Sequence, residues 1–256
     1  WDPKASKETY EDVLARSSVG AMFSNVQGGG AFNRVAGADA SFYVKRVWFF
    51  DGWAAHMSQS GGGPGANGGY GRAAYEADRY ASGYTFLGLG EHFNPGVGFV
   101  RRPNSLQHKA YARFSPRPAD SIVRQYHFTG RGAYITDAEA VVDTREREFE
   151  ARADFDTGDA TSLVVTNQLE NLKEPFRLRP GFVIAPGTYT WNEAVVKWDS
   201  FRRRHLQLDA SYTKGGFSMS AENRETTITP FGGGARITSD DGMMPDLTAR
   251  YAWKGT

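Results

Sequence analysis

The sequence has no cysteine among its 256 residues. This absence excludes disulfide bonds, thiol catalysis and zinc sites built on thiolates, and it suits a chain exported through an oxidising compartment. An excess of charge of either sign is also lacking, since the formal net charge is +1. The charge balance therefore gives no indication of nucleic-acid binding.

Long apolar runs are missing as well. No stretch approaches the roughly 18–20 consecutive apolar residues that a transmembrane helix requires. Helix signals are weak throughout, and the best candidate, residues 7–16, lacks a convincing cap. The chain instead has 30 glycines and 14% aromatic residues, a mixture that favours many short strands joined by tight turns.

What the sequence does contain is alternation of apolar and polar residues in segments of about ten residues, which places one set on each face of a strand. We predict roughly 10–13 antiparallel strands in up-and-down order, within a single domain that spans residues 1–256. Residues 1–11 are predicted to be a connector or loop, and the Gly-rich residues 61–69 a flexible loop. Asp51-Gly52 and residues 157–159 are predicted to be hairpin turns.

The two faces of these predicted strands differ in chemistry. In residues 141–155 one face is apolar and the other carries carboxylates and an arginine. Lipid outside and water inside is the natural pair of environments for such a sheet, so the pattern favours an all-β, antiparallel, up-and-down transmembrane β-barrel with the lipid bilayer as its partner. A soluble β-sandwich or barrel would also alternate, and it stays as the alternative.

The charged residues of the polar face are the candidate functional residues. Because each would cost several kcal/mol against lipid, we expect them to face the barrel interior as a mixed-charge network. They are Arg131, Glu146, Glu148, Glu150, Arg152, Asp154, Lys197 and Asp209. The residues expected to face outward are Phe149, Ala151, Leu163, Val165, Val196, Leu208 and Tyr212. An arginine at Val165 should therefore cost more than one at Thr129, which we expect to face the interior.

No motif indicates catalysis, a metal or a cofactor. The five histidines (residues 56, 92, 108, 127 and 205) lack ligand spacing, and residues 154–159 lack the glycine position and terminal glutamate of an EF-hand loop. Gly-x-Ser-x-Gly is absent. Paired carboxylates such as Glu146 and Glu148 sit beside many cations, so a charge ladder explains them better than acid–base chemistry. We predict that the protein is not an enzyme.

Five motifs carry a resemblance to a known family. In order they are FNRVAGAD (residues 32–39), FNPGVGFVRR (93–102), Arg117-Pro118, FDTGD (155–159) and EPFRLRPGFVIAPGTYTW (174–191). Over about residues 13–215 the chain resembles the barrel region of an uncharacterised family of bacterial outer-membrane proteins, whose longer members carry an N-terminal module similar to family-nine carbohydrate-binding modules.

The resemblance implies a fold and a location in the outer membrane of a Gram-negative bacterium, with envelope proteins or carbohydrate as further partners. It implies no reaction and no catalytic residue. Three departures accompany it: Gly96 stands where the family usually has an acidic residue, the tail after Phe217 is short, and the N-terminal module is missing. We therefore expect the chain to be a fragment of a larger barrel.

Two of these motifs contain too much glycine and proline for lipid-facing strands. We expect FNPGVGFVRR to form a loop folded into the barrel through Asn94, Pro95, Arg101 and Arg102, with the arginines paired to Glu146 or Glu148; an ordinary surface turn is the alternative. PGFVIAPGTYTW is expected to be a crossover or inward-folded loop that precedes a strand over residues 188–200.

Two functional hypotheses follow from the sequence. The first is an outer-membrane β-barrel that acts as a channel, a transporter-like pore or a membrane anchor, with unknown cargo. The alternative is a soluble all-β carbohydrate-binding protein, in which Trp53, Trp191 and Trp198 would stack on sugar rings.

Overall fold

The computed structural model describes residues 16–61, 66–179, 182–201, 206–221, 224–228 and 232–239. All regular structure within these ranges is β-strand. None of the described residues belongs to a helix long and apolar enough to cross a membrane. The predicted connector over residues 1–11 lies outside the described ranges.

Within the described ranges fifteen strands follow one another. They are β1 (Ser18–Gly28), β2 (Ala31–Val44), β3 (Trp48–Gln59), β4 (Asn67–Glu76), β5 (Tyr80–Leu89), β6 (Ser105–Phe114), β7 (Val123–Asp137), β8 (Val142–Phe155), β9 (Ala160–Leu172), β10 (Phe176–Arg179), β11 (Phe182–Ile184), β12 (Gly187–Asp199), β13 (Leu206–Ala221), β14 (Arg224–Ile228) and β15 (Gly232–Ser239).

The predicted all-β, antiparallel, up-and-down fold is confirmed. Strands β1 to β9, β12 and β13 lie side by side in sequence order and are the 11 up-and-down strands of one 13-stranded sheet. Strands β14 and β15 both pair with β13, and β10 with β11 forms a separate hairpin. Among the described residues no pairing joins β1 to the other end of the sheet, which is therefore not closed into a barrel.

The chain divides into two compact units, residues 1–111 with 133–142 and residues 112–132 with 143–256. In the first unit the strand register places aromatic and small side chains on one face of β1 to β5, which we call the apolar face of this unit. Its large members are Val19, Phe23, Phe42, Trp48, Phe50 and Tyr84, each at least 40% exposed. The opposite face, which carries Asp39, Asp51 and Arg72, is its polar face.

The buried core of the first unit lies on this polar face. Val35, Met57, Ala66 and Phe93 form one cluster. Phe93 comes from the irregular segment between β5 and β6, and its ring lies on Gly68 of β4, where an added Cβ would come within 2.9 Å of the ring. Glycine at this position therefore provides the space in which the segment packs.

Two boundary predictions for this unit are wrong. The dipeptide Asp51-Gly52 lies inside β3 opposite Ser41 and Ala40, and the turn is formed by Lys45 and Arg46, whose φ values are 49° and 56°. A Cβ on Gly52 would lie 2.8 Å from the carbonyl oxygen of a residue in β4, so close approach of strands explains this glycine.

The predicted loop over residues 61–69 is wrong at its C-terminal end, because residues 67–69 belong to β4. Asn67 begins β4, and the carbonyl of buried Ala66 accepts a hydrogen bond from the Met57 amide at 2.8 Å. Residues 62–65 of this loop lie outside the described ranges. Glycine-rich sequence therefore extends into the strand, where Gly68 and Gly69 pair with β5.

In the second unit β8, β9, β12 and β13 pair in long, regular registers. The predicted turn at residues 157–159 joins β8 to β9, with Gly158 at a φ of 86°. The Gly158 amide donates to the Phe155 carbonyl at 3.0 Å. After β12 the chain returns to this turn, where the Phe201 amide donates to the Asp159 carboxylate at 2.9 Å.

Candidate functional site

One face of β8, β9, β12 and β13 in the second unit is largely apolar. Its rows run from Phe149 through Val165 and Ala194 to Lys214, and from Ala151 through Leu163 and Val196 to Tyr212. The adjacent row on this face is polar and consists of Arg147, Asn167 and Asn192. Five of the apolar side chains are 41–55% exposed: Phe149, Leu163, Val165, Val196 and Tyr212. Leu208, the remaining residue predicted to face outward, has a side chain outside the described part of the chain.

The other face of the same strands is the polar face of the second unit. Its rows run from Glu148 through Thr166 to Glu193, from Arg152 through Ser162 and Lys197 to Ser211, and from Asp154 through Ala160 and Asp199 to Asp209. Glu146 and Glu150 share this face by the same register. The backbone therefore brings Glu146, Glu148, Glu150, Arg152, Asp154, Lys197 and Asp209 to one side of the sheet.

Two groups of ion pairs occur on this polar face. Arg131 Nη1 lies 2.5 Å from Glu148 Oε1 and 2.9 Å from Glu150 Oε2, so one guanidinium bridges two carboxylates of β8. Arg152 pairs with Asp154 at 2.8 Å and lies 3.9 Å from Asp199.

The other predicted members of the network are not paired in this way. Between the described side chains no ion pair includes Glu146, Lys197 or Asp209. The mixed-charge network is thus two separate clusters. Glu148 is paired with Arg131, whereas the sequence analysis expected Arg101 and Arg102 to pair with Glu146 or Glu148.

A serine, a histidine and an aspartate that the sequence did not single out form a hydrogen-bonded chain in the second unit. Ser115 Oγ lies 2.8 Å from His127 Nδ1, and His127 Nε2 lies 3.2 Å from Asp154 Oδ2. These are the residue types of a hydrolytic triad. Ser115, however, is only 1% exposed, which leaves its hydroxyl closed to a substrate.

The chain of hydrogen bonds instead fixes the segment that follows β6. Gln125 Nε2 donates to the Ser115 carbonyl at 3.2 Å, and the Tyr126 amide donates to the Pro116 carbonyl at 3.0 Å. No sequence motif marks this arrangement, because it depends on pairing across a turn and on a third strand. Nearby Thr129 is only 5% exposed, so it is a poor site for the arginine substitution that the sequence suggested.

The segment 90–104 of the first unit folds onto the polar face of that unit. Asn33 Nδ2 donates to the Asn94 carbonyl at 2.9 Å, and the Gly96 amide donates to Asn33 Oδ1 at 3.2 Å. The Asn94 amide also lies 3.2 Å from Met57 Sδ. Two motifs 61 residues apart, FNR and FNPG, therefore meet through one asparagine side chain.

This segment covers a cavity of about 630 Å³ above β2, β3 and β5, wholly within the first unit. Pro95, Arg101 and Arg102 line it from the segment, and Trp53 lines it from the sheet. Arg101 is exposed and makes no ion pair with a described residue. The four residues predicted to form an inward-folded loop thus lie at or beside a cavity.

The hairpin of β10 and β11 precedes a second packed segment. Ile184 and Tyr189 are buried against each other, with Leu172 and Trp191 packed around them. Tyr189 Oη donates to the Ala185 carbonyl at 2.7 Å, which closes the segment onto the start of β12. The predicted strand over residues 188–200 is β12, shifted by one residue at each end.

The three candidate sugar-stacking tryptophans have different surroundings. Trp53 belongs to the first unit, where its ring is stacked with that of Phe93, with 6.4 Å between the ring centroids. Trp191 and Trp198 lie on opposite faces of β12 because they are seven residues apart. Trp191 and Trp198 therefore do not form a shared platform in the described part of the second unit.

The described residues contain no group of three or more histidine, aspartate or glutamate side chains that could hold a metal ion. Comparison with known proteins found no matching family model, no matching curated protein and no matching solved structure. The resemblance to an outer-membrane family stays a prediction.

Proposed function

We propose that the chain forms part of the wall of an outer-membrane β-barrel, which acts as a channel or transporter-like pore for polar solutes. One observation supports this above all: in the second unit apolar side chains are exposed while polar side chains of the same strands are buried. Phe149 of β8 and Val165 of β9 are 49% and 43% exposed, whereas Ser162 and Thr166 on the polar face of β9 are 6% and 8% exposed.

This distribution is the reverse of that in a soluble β-protein, whose apolar face packs inside. Complete burial of a Val, Leu or Phe side chain contributes about 1.5–3 kcal/mol, so half-exposed side chains in water leave roughly 1 kcal/mol each unrealised. A contiguous array of them across four strands is typical of a surface covered by another apolar phase. Lipid acyl chains provide that phase for a sheet of this kind.

The polar face suits the water-filled side of such a wall. Its carboxylates and guanidinium groups pair with one another, as in the bridge from Arg131 to Glu148 and Glu150. Each unit also has a segment that packs against its own sheet: in the first unit through Phe93, and in the second through Ile184 at the end of β11. Inward-packed segments narrow or plug the interior of large barrels.

No specific observation favours the soluble carbohydrate-binding alternative. The candidate tryptophans do not assemble into a platform within either unit, and Trp198 lies on the apolar face beside Phe155 at 5.8 Å. Aromatic residues on that face fit the interfacial girdle of a membrane sheet.

Adjacent residues of β12 provide a matched test. Val196 belongs to the apolar face and Lys197 to the polar face, and the chain has no native cysteine to interfere. Val196→Cys and Lys197→Cys would each be labelled with a bimane fluorophore after refolding into phosphatidylcholine vesicles. The label at 196 should be quenched by lipids with brominated acyl chains, and the label at 197 by aqueous iodide.

Labelled protein in vesicles without brominated lipid, and labelled urea-unfolded protein, give the reference intensities. If iodide quenches both labels equally and brominated lipid quenches neither, the sheet does not cross a bilayer and the proposal fails. A chain that stays folded and monomeric in detergent-free buffer would contradict it independently.

A further inference from the structure

The cavity of the first unit has the dimensions of a ligand site. Its volume of about 630 Å³ lies within the range of roughly 300–1,000 Å³ that small-molecule pockets occupy. Its floor is the polar face of β2 and β3 at Gly37 and Ala55, two small residues that lie opposite each other in the register. A Cβ on Gly37 would come within 3.2 Å of the Ala55 Cβ, so the floor cannot be raised without shifting a strand.

The cavity walls are largely apolar. Val35, Leu87, Leu89 and Phe93 line it from the core, and Val100 and Phe99 line it from the overlying segment. Phe99 is 89% exposed, the largest exposed fraction among the large apolar side chains of the described residues. An aromatic ring at the rim of an apolar cavity with this exposure gains contacts when an apolar molecule enters.

The charges at the cavity select the sign of a ligand. Arg101 and Arg102 contribute two guanidinium groups, against a single carboxylate from Asp39. Asp39 leans towards the neighbouring strand β1, where a Cβ on Gly20 would lie 2.6 Å from its Oδ1. The net charge of the lining side chains is therefore positive, and exposed Arg101 has no partner among the described residues.

We propose that this cavity binds a small amphipathic anion, with its apolar body on the floor at Gly37 and Ala55, beside Trp53, and its acidic head on the Arg101 guanidinium. A guanidinium binds a carboxylate or phosphate through paired, charge-assisted hydrogen bonds. A sugar fits the lining less well, because its hydroxyl groups would face Val35, Leu87 and Leu89 without partners. This proposal depends only on the cavity of the first unit. It can be correct or wrong independently of the proposed function as a pore.

The test uses dodecanoate as the probe and dodecanol as its uncharged counterpart. The full chain would be held in an amphipol, and its intrinsic tryptophan emission titrated with each probe. Saturable binding of dodecanoate is expected, and Arg101→Gln should weaken it about tenfold because one charge-assisted pair is lost. The affinity for dodecanol should be unchanged by that substitution.

Lys109→Gln is the matched control, since Lys109 is exposed, belongs to the same unit and does not line the cavity. It should leave dodecanoate binding as in the unaltered chain. Trp53→Phe identifies the reporter: it should remove most of the emission change without abolishing binding in a calorimetric titration. Inorganic phosphate, added as a competitor, distinguishes a head-group site from one that needs the apolar body.

Absence of saturable dodecanoate binding by the unaltered chain would overturn the proposal. Equal weakening by Arg101→Gln and Lys109→Gln would overturn it too, because general electrostatic attraction would then explain the binding. Displacement of dodecanoate by millimolar phosphate alone would reduce the site to an anion site and contradict the role given to the apolar lining. Exposed Arg101 lies in an irregular segment, so its substitution should leave folding intact.

Discussion

At the scale of single residues, the polar face of the second unit depends on one guanidinium. Arg131 is 48% exposed, while the carboxylates that it bridges, Glu148 and Glu150, are 23% and 22% exposed. The two carboxylates lie two residues apart on β8 and therefore on the same face. Without a cation between them, like charges would face each other in a partly dehydrated environment.

We expect Arg131→Met to lower the free energy of unfolding by about 1–2 kcal/mol. This value already takes into account that Arg131 is partly exposed, which weakens its ion pairs with Glu148 and Glu150. Urea denaturation in a detergent micelle, followed by circular dichroism, measures it. Lys197→Met is the control, because exposed Lys197 lies on the same polar face and makes no ion pair with a described residue; its replacement should change stability by less than about 0.5 kcal/mol. In a Glu148→Gln, Glu150→Gln background the cost of Arg131→Met should largely disappear; an unchanged cost would refute the bridge.

Single glycines decide how closely segments approach. Gly68 leaves room for the Phe93 ring, and Gly52 leaves room for a carbonyl of β4. Neither glycine has a positive φ, so lack of a side chain, and not backbone freedom, explains both positions. For this reason Asp51-Gly52 resembles a turn in the sequence and is a strand in the fold.

At the scale of elements, the segment 90–104 is an irregular stretch that is buried at Phe93 and exposed further along. Asn33 is its main polar attachment, through the Asn94 carbonyl and the Gly96 amide. Beyond these contacts Val97 and Phe99 are 65% and 89% exposed. Segments with an anchored start and an exposed remainder open at low free-energy cost.

We predict that Asn33→Ala releases this segment without unfolding the sheet. Loss of two hydrogen bonds should raise the rate of tryptic cleavage at the Arg101–Arg102 bond about tenfold. Timed proteolysis with mass spectrometry of the fragments measures this rate. Asn25→Ala is the control, since exposed Asn25 only accepts a hydrogen bond from Arg34 at 3.2 Å. Equal cleavage rates in both variants would show that Asn33 does not hold the segment.

At the scale of the whole molecule, the proposed membrane orientation predicts that an introduced arginine costs more stability on the apolar face of the second unit than on its polar face. Val165 lies in the apolar face of the second unit, and Ser211 is an exposed member of its polar face. Val165→Arg should destabilise the lipid-embedded chain by about 2–4 kcal/mol, since a guanidinium near the bilayer midplane must lose water.

Ser211→Arg should cost much less, because Ser211 is already exposed on the face that carries Lys197 and Asp209. Denaturant titration of both variants in vesicles measures the difference. Similar costs for the two substitutions would place both faces in the same environment and contradict the proposed orientation. Ser211 replaces Thr129 as the reference site because Thr129 is buried.

The sequence by itself determined the strands and the faces of their side chains. Alternation is a local property, because consecutive side chains point to opposite sides of any strand. Glu148 and Phe149 must therefore lie on opposite faces, whichever strands pair with β8. The turn at residues 157–159 could also be predicted from the sequence, because a glycine between two alternating runs is a local turn signal; in the fold Gly158 has a positive φ. Predictions of this kind need no knowledge of strand pairing.

Only the tertiary structure decided which residues meet. The contact of Asn33 with Asn94 spans 61 residues, and the hydrogen bonds from Ser115 through His127 to Asp154 join the segment after β6 to β7 and β8. Such contacts depend on register and on the path of irregular segments, and one residue of slip would reverse every face. The cavity beneath residues 90–104 has the same origin, because its floor and its cover come from separate parts of the chain that only folding brings together.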